Sequence, residues 1–242
     1  MEGNSMDLTN RLAVTANTAH FSHDCFTSMR RIMHIKKIPA NGLVFFEGDH
    51  MDKLFFVLEG TVKLTKLNED GKNLVFHYFF PDDLFGEFNP RQELRSMFTA
   101  RVVEDSVIGV MQKDDLEALL VQNDDLAMAF SQWQSQIQRY TQLKLRDLLF
   151  HGKDGALASA LLRTVNTYGL QDGNNLVITR KFINNDFAEM VGASRETINR
   201  LLTVFKKNDI ISYQNGHMEI LDLAALKSLC HCEECPVTIC RL

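Results

Sequence analysis

The sequence predicts an α+β chain in three parts: an N-terminal antiparallel β-roll, a long helix, and a C-terminal winged helix-turn-helix. Three observations predict it. Residues about 40–112 break into short strand-like pieces at closely spaced turn signals. From Lys113 to Phe150 there is neither glycine nor proline, and apolar residues recur at helical spacing. After that, a short helix, a glycine-bearing turn, a longer helix and a hairpin follow in order.

The strand pieces are "GLVFFEGD", "KLFFVLEGTVKLTKLNEDGKNLVFHYF", "DLFGEF" and "MFTARVVEDSVIGVM". Their β-branched and aromatic content suits a pleated surface. Gly48, Gly60, Gly71 and Gly86 stand at the corners, where turns demand positive φ. Short strands at this spacing close into a compact roll or barrel.

The all-helical stretch divides into "KDDLEALLVQN" and a run from "DDLAMAFSQWQ" to "RDLLF". Leu126, Phe130, Trp133, Ile137, Tyr140, Leu143 and Leu145 form its apolar stripe. A helix of roughly 25 residues spans ~38 Å. It either covers its own domain or pairs with a second copy, in the manner of a coiled coil. "HGKDG" (151–155) reads as a hinge because of its two glycines.

Beyond it, "ALASALLRTVNTYGL" is a helix, "NLVITR" a strand, and "INNDFAEMVG" and "RETINRLLTVFKKNDI" the two helices of the motif. Asn215-Gly216 is the favoured dipeptide of a tight hairpin, the wing. Ser194 is placed as N-cap of the second helix. Arg195, Glu196, Asn199 and Arg200 then share one face, opposite Ile198, Leu201, Leu202 and Phe205. An arginine grips guanine O6 and N7 together, and a glutamate accepts from cytosine N4. The segment is therefore read as a surface for double-stranded DNA.

Charge permits this without demanding it. The chain of 242 residues carries a net −5, with 45% hydrophobic and 24% charged residues. Residues 151–229 hold nine Lys and Arg against eight Asp and Glu, so the acidity lies in the first part. No apolar run is long enough to span a membrane, and no secretory signal opens the chain, so a cytoplasmic location is expected. Thiols there stay reduced. No nucleophile–base pair, phosphate loop or paired-carboxylate motif stands out, so no enzyme is expected. His151 reads as a helix-end residue and not as a catalytic base.

Four of five cysteines lie in the last thirteen residues, "CHCEECPVTICRL". Cys232-x2-Cys235-x4-Cys240 brings three thiolates into reach of one metal centre. Zinc held with His231 or Cys230 is a second reading, and a thiol–disulfide switch a third. Cys230 is an alternative to Cys232 as ligand. Cys25 stands alone and is expected to be structural.

"VGASRETINRLL" resembles the recognition segment of the cyclic-AMP receptor protein and Fnr family of bacterial transcription regulators. The resemblance runs over almost the whole chain, in the order roll, dimer helix, winged domain. "RDLLFHGKDGAL" together with "CEECPVTIC" is similar to the Fnr branch of Bacillus-type bacteria, whose cluster cysteines are C-terminal. This resemblance implies a homodimeric, oxygen-responsive regulator of anaerobic genes that works with RNA polymerase. It implies a 4Fe–4S cluster on Cys232, Cys235, Cys240 and an aspartate, for which the matching position is Asp147. Arg195, Glu196 and Arg200 match the family's base-reading positions, which implies palindromes of TGTGA-type half-sites. Asn199 departs from the serine of enteric Fnr proteins, so their TTGAT-type preference is not expected.

The same resemblance raises a cyclic nucleotide or other small ligand as an alternative effector. Sister proteins hold the ribose with Gly-Glu and the phosphate with Arg-Ser. Gly86 and Glu87 match the first pair; Arg95 and Ser96 follow a short "NPRQE" and sit one place out of register. The expected organisation is residues 1–112 as extension and roll, 113–150 as dimerisation segment, 151–229 as DNA-binding domain and 230–242 as cluster-binding tail.

Overall fold

The computed structural model describes residues 15–89, 93, 95–173 and 175–242. The N-terminal extension up to residue 14, and residues 90–92 of "NPRQE", lie outside the described residues. Two compact units divide the described chain, residues 15–141 and 142–242. The boundary falls inside one helix.

The first unit opens with helix α1 (His23–Arg31), capped by the Ser22 hydroxyl, which accepts from the Cys25 amide. Eight strands follow: β1 (His34–Ile38), β2 (Leu43–Phe45), β3 (Lys53–Glu59), β4 (Val62–Leu67), β5 (Asn73–Phe79), β6 (Leu84–Phe85), β7 (Thr99–Val102) and β8 (Ser106–Gln112). They pair antiparallel as two four-stranded sheets, β1-β8-β3-β6 and β2-β7-β4-β5. This is the expected roll. All four corner glycines take positive φ, and a Cβ on Gly60 would also run into the Ser106 side chain.

Aromatics fill the space between the sheets. Phe55 stacks on Phe85 at 5.3 Å and Phe79 on Phe85 at 4.8 Å. Helix α2 (Lys113–Gln122) leads into α3 (Asp124–Phe150), 27 residues long. Leu126, Phe130 and Trp133 of α3 pack with Met29, Leu54, Phe56 and Leu84. The Trp133 indole N–H donates to the Leu84 carbonyl at 3.2 Å. Each such buried side chain stabilises the unit by roughly 1.5–3 kcal/mol. The predicted stripe holds as far as Tyr140, but Leu145 is 54% exposed.

The second unit contains the last turns of α3, then α4 (Gly152–Tyr168), β9 (Gly169–Asp172), β10 (Asn175–Ile178), α5 (Asn184–Val191), α6 (Arg195–Lys207), β11 (Ile211–Gln214), β12 (His217–Ile220) and α7 (Leu223–Leu229). The sheet order is β11-β12-β10-β9. Asn215 and Gly216 both take positive φ, 52° and 80°, as the tight wing turn requires.

Residues 151–155, read as a hinge, are the junction of α3 and α4, where Gly152 takes a φ of 65°. Only His151 lies outside the helices there, and 152–155 are the first turn of α4. Gly155 is packed, not flexible: a Cβ would stand 2.8 Å from the Leu229 carbonyl oxygen at the end of α7. Sequence reasoning also missed α1, β1 and β9. Strand β1, "HIKKI", buries only its last residue, so it carries no alternation to recognise.

Candidate functional site

Helix α4 is the scaffold of the second unit, and one of its faces carries Ser159, Arg163, Asn166 and Thr167 at helical spacing. Arg163, only 6% exposed, donates through Nη1 to the Ile239 carbonyl at 3.0 Å and through Nη2 to Asp147 Oδ2 at 3.0 Å. Asn166 Nδ2 donates to the Cys240 carbonyl at 2.6 Å. The Leu242 amide donates to Thr167 Oγ1 at 3.0 Å. The tail is thereby fastened to α4 on both sides of Cys240.

Asp147 lies on α3 in the same unit and is 4% exposed. Both carboxylate oxygens are engaged. Arg146 donates twice to Oδ1, at 3.1 and 2.8 Å; Ser159 and Arg163 donate to Oδ2. Burial alone would raise its carboxyl, but the Ser159 hydrogen bond, the Arg163 charge and the bonds from both arginines outweigh it and hold it below the ordinary range. Arg146 also pairs with Glu233 of the tail. Lys144 feels the same charges. Burial, and then the Arg163 charge, bring its ammonium down to about 7 against the pull of Asp147.

The tail leaves α7 through His231, whose φ of 47° reverses the chain, and turns again at Glu234 (φ 54°). Pro236 starts a further turn, its carbonyl accepting from Ile239 and Cys240. Cys232, Cys235 and Cys240 are half-buried. Burial raises the Cys240 thiol, Arg163 lowers it, and Cys235, Cys232 and Asp147 raise it further. Among the described residues no three His, Cys, Asp or Glu side chains converge on a point that would hold a single ion.

Cys230 differs from them. It is 4% exposed, its thiol donates to the Lys227 carbonyl, and burial, with Cys232, Asp147 and Cys240 around it, pushes its pKa up to about 12. In cluster-free protein at pH 8, iodoacetamide is expected to label Cys232 and Cys235 well before Cys230, as read by peptide mass spectrometry. Only the thiolate attacks. Cys25 is buried in the core of the first unit.

On α6, the second helix of the predicted helix-turn-helix, Ser194 caps as the sequence predicts: its hydroxyl accepts from the Thr197 amide at 3.2 Å. Arg195, Glu196, Asn199 and Arg200 are exposed together, and Ile198, Leu202 and Phe205 are buried behind them. Leu201, expected to be buried, is only half so. The Glu196 backbone amide, then the Ser194 hydroxyl, hold the Glu196 carboxyl below its ordinary value, so it accepts hydrogen bonds as an anion at neutral pH. Asn199 has a second task, since its Oδ1 accepts from Asn184 of α5 at 3.1 Å. Ser194→Ala is expected to cost about 1 kcal/mol in thermal unfolding of this unit.

Two residues escaped sequence reasoning here. Lys153 Nζ reaches the Val191 and Gly192 carbonyls at 3.2 Å each and so caps α5 from α4. Lys181 lies against the wing turn: a Cβ on Gly216 would come within 3.4 Å of its Nζ. Only fold-level proximity could have revealed either.

In the roll, the four residues matching a nucleotide site are engaged locally. Burial raises the Glu87 carboxyl, and a hydrogen bond from the Met97 amide opposes it. Arg95 Nη1 donates to the Gly48 carbonyl at 2.9 Å, and Ser96 Oγ to the Phe98 carbonyl. Gly86 holds a φ of 122°.

No helix among the described residues is long and apolar enough to cross a membrane. Residues 35–123 match the cyclic nucleotide-binding domain family, and residues 155–229 the Crp-like helix-turn-helix domain. The chain is 34% identical to an anaerobic regulatory protein of Bacillus subtilis, over 91% of this chain and 94% of that one. It is 29% identical to a CRP-like cAMP-activated global transcriptional regulator of Mycobacterium tuberculosis, over 76% and 82%. The solved structure of FixK2 from Bradyrhizobium japonicum superposes with a TM-score of 0.70 at 16% identity, over 82% of this chain and 97% of that one. A roll of this kind, a long helix and a Crp-like helix-turn-helix, with a relative at that identity over nearly its whole length, make this chain a member of the Crp/Fnr family of DNA-binding transcription regulators.

Proposed function

We propose that this regulator responds to oxygen and controls anaerobic genes from the cytoplasm as a homodimer, in concert with RNA polymerase. It is active when a 4Fe–4S cluster is bound and loses activity when oxygen destroys the cluster. The observation that supports this reading is the fastening of the tail on both sides of Cys240 to α4, through Asn166 and through Arg163, which also donates to Asp147. The name of the Bacillus relative supports it.

Cys232, Cys235, Cys240 and Asp147 would hold the cluster. Three thiolates and one oxygen are a donor set that such clusters accept, with the oxygen the more exchangeable ligand on iron. When bound, the cluster supplies a joint between the tail and the last turns of α3 that oxygen can break. Asp147 fixes the end of α3, and Arg163 fixes the tail. Both then bear on the geometry with which paired recognition helices meet successive major grooves, ~34 Å apart. A coupling of about 1–3 kcal/mol suffices for a 5–150-fold switch. The burial of Cys230 and its bond to Lys227 favour Cys232 over it as ligand.

On α6, Arg195, Glu196 and Arg200 would read TGTGA-type half-sites, with Asn199 beside them and Ser194 fixing the helix start. The test is purification without oxygen, analysis for iron, sulfide and zinc, and titration of a palindromic TGTGA-type operator with loaded and cluster-free protein under nitrogen. About four iron per chain and tighter binding by the loaded form are expected. One zinc per chain, or equal affinities, overturns the reading.

A further inference from the structure

Arg163 has a place that the ligand set does not explain. It is a guanidinium 6% exposed, in the middle of α4, that no reading of DNA contact or core packing requires. Burying a cation costs several kcal/mol unless it is paired and hydrogen-bonded, so such a residue needs fixed anionic or carbonyl partners. Its partners include Asp147 and the carbonyl of Ile239, immediately before Cys240. A planar fork spans two acceptors in fixed geometry, which an ammonium cannot do.

Charge points the same way. Three thiolates and a carboxylate on a 4Fe–4S core leave a net charge of roughly −2. Arg146 and Arg163 already face that site, one donating to each oxygen of Asp147. Residues that hydrogen-bond metal ligands orient them and tune the metal.

We propose that Arg163 is the positioning residue of the cluster site, holding Asp147 and the Cys240 segment in register and offsetting the charge of the bound cluster. The inference rests on the cluster reading above. It extends that reading by making the ligand geometry depend on a residue that is not a ligand. Asn166, which anchors the Cys240 carbonyl without a charge, separates the two duties.

The test compares wild type, Arg163→Lys and Asn166→Ala, each reconstituted with ferrous iron and sulfide in the absence of oxygen. Iron and sulfide per chain, cluster midpoint potential and cluster lifetime in air are read. In parallel, cluster-free samples are pulsed with iodoacetamide, with Cys25 as the internal reference. Thermal unfolding of each cluster-free variant checks the fold. Arg163→Lys is expected to shorten cluster lifetime about 10–100-fold and to expose Cys240 to alkylation. Asn166→Ala should expose Cys240 while leaving the potential unchanged. Wild-type loading, lifetime, potential and Cys240 protection in Arg163→Lys would overturn the inference. If wild type itself takes up no iron–sulfur, the cluster reading falls, and the alkylation arm still decides whether Arg163 fastens the tail.

Discussion

Asp147→Ala is expected to destabilise the second unit by about 3–5 kcal/mol in protein that contains no cofactor at all. Removing one partner of a buried ion pair strands the other. Here the stranded group is Arg163, with Ser159 and Arg146 losing their acceptor as well. Urea unfolding of cluster-free protein, followed by a probe in this unit, measures the loss. A change below about 1 kcal/mol would mean that the pair contributes no more than an exposed one. The pair also has a pH signature. The folded carboxyl titrates below its ordinary value of 3.8, so its stabilisation is complete above about pH 4 and is lost only as the pH falls through the depressed folded pKa.

That structural role changes what a loading experiment means. Poor cluster uptake by Asp147→Ala reports a weakened unit as much as a missing ligand. Asp147→Cys separates the two. A thiolate suits iron–sulfur chemistry better than a carboxylate. If residue 147 is a ligand, the cysteine variant should take up the cluster and hold it longer in air than wild type, although it lacks the partner of Arg163. If residue 147 only supports the fold, the cysteine variant should load as poorly as the alanine one. Iron and sulfide analysis after anaerobic reconstitution reads the difference.

What the sequence disclosed follows from how local each signal is. The wing turn, the Ser194 cap and the buried side of α6 depend on residues within one or two turns of each other, and they stand as predicted except that Leu201 is only half-buried. The stripe on α3 is equally periodic, yet Leu145 is exposed because periodicity assigns a face and does not say where its cover stops. In "HGKDG" the two glycines differ: Gly152, at a φ of 65°, marks the break between α3 and α4, whereas Gly155 serves close approach to the Leu229 carbonyl, which no local signal shows. The cysteine spacing suggested a metal centre. The side chains that hold Asp147 and the tail, Ser159, Arg163 and Asn166, lie about seventy residues before the cysteines, in a helix that reads as ordinary core. Their role exists only once α4 and the tail meet, and no spacing rule encodes that.

The proposed DNA face of α6 offers a cleaner measurement, because Arg195 and Arg200 are exposed and their removal leaves no buried partner. Arg200→Ala is expected to weaken binding to a TGTGA-type palindrome by about 1–3 kcal/mol per half-site, since a bidentate contact to guanine is lost. It should also relax discrimination at that one base pair. Lys181→Ala should behave differently. Its ammonium sits by the wing turn, where a phosphate contact carries no sequence information. Binding should weaken by a similar factor on every sequence, and the slope of log K against log salt should fall by about 1. Titrating both variants on the palindrome, a single-base variant of it and an unrelated duplex at several salt concentrations separates the roles. If Arg200→Ala weakened all three duplexes equally, Arg200 would be a backbone contact and the assignment of α6 as the base-reading element would fall back on Arg195 and Glu196.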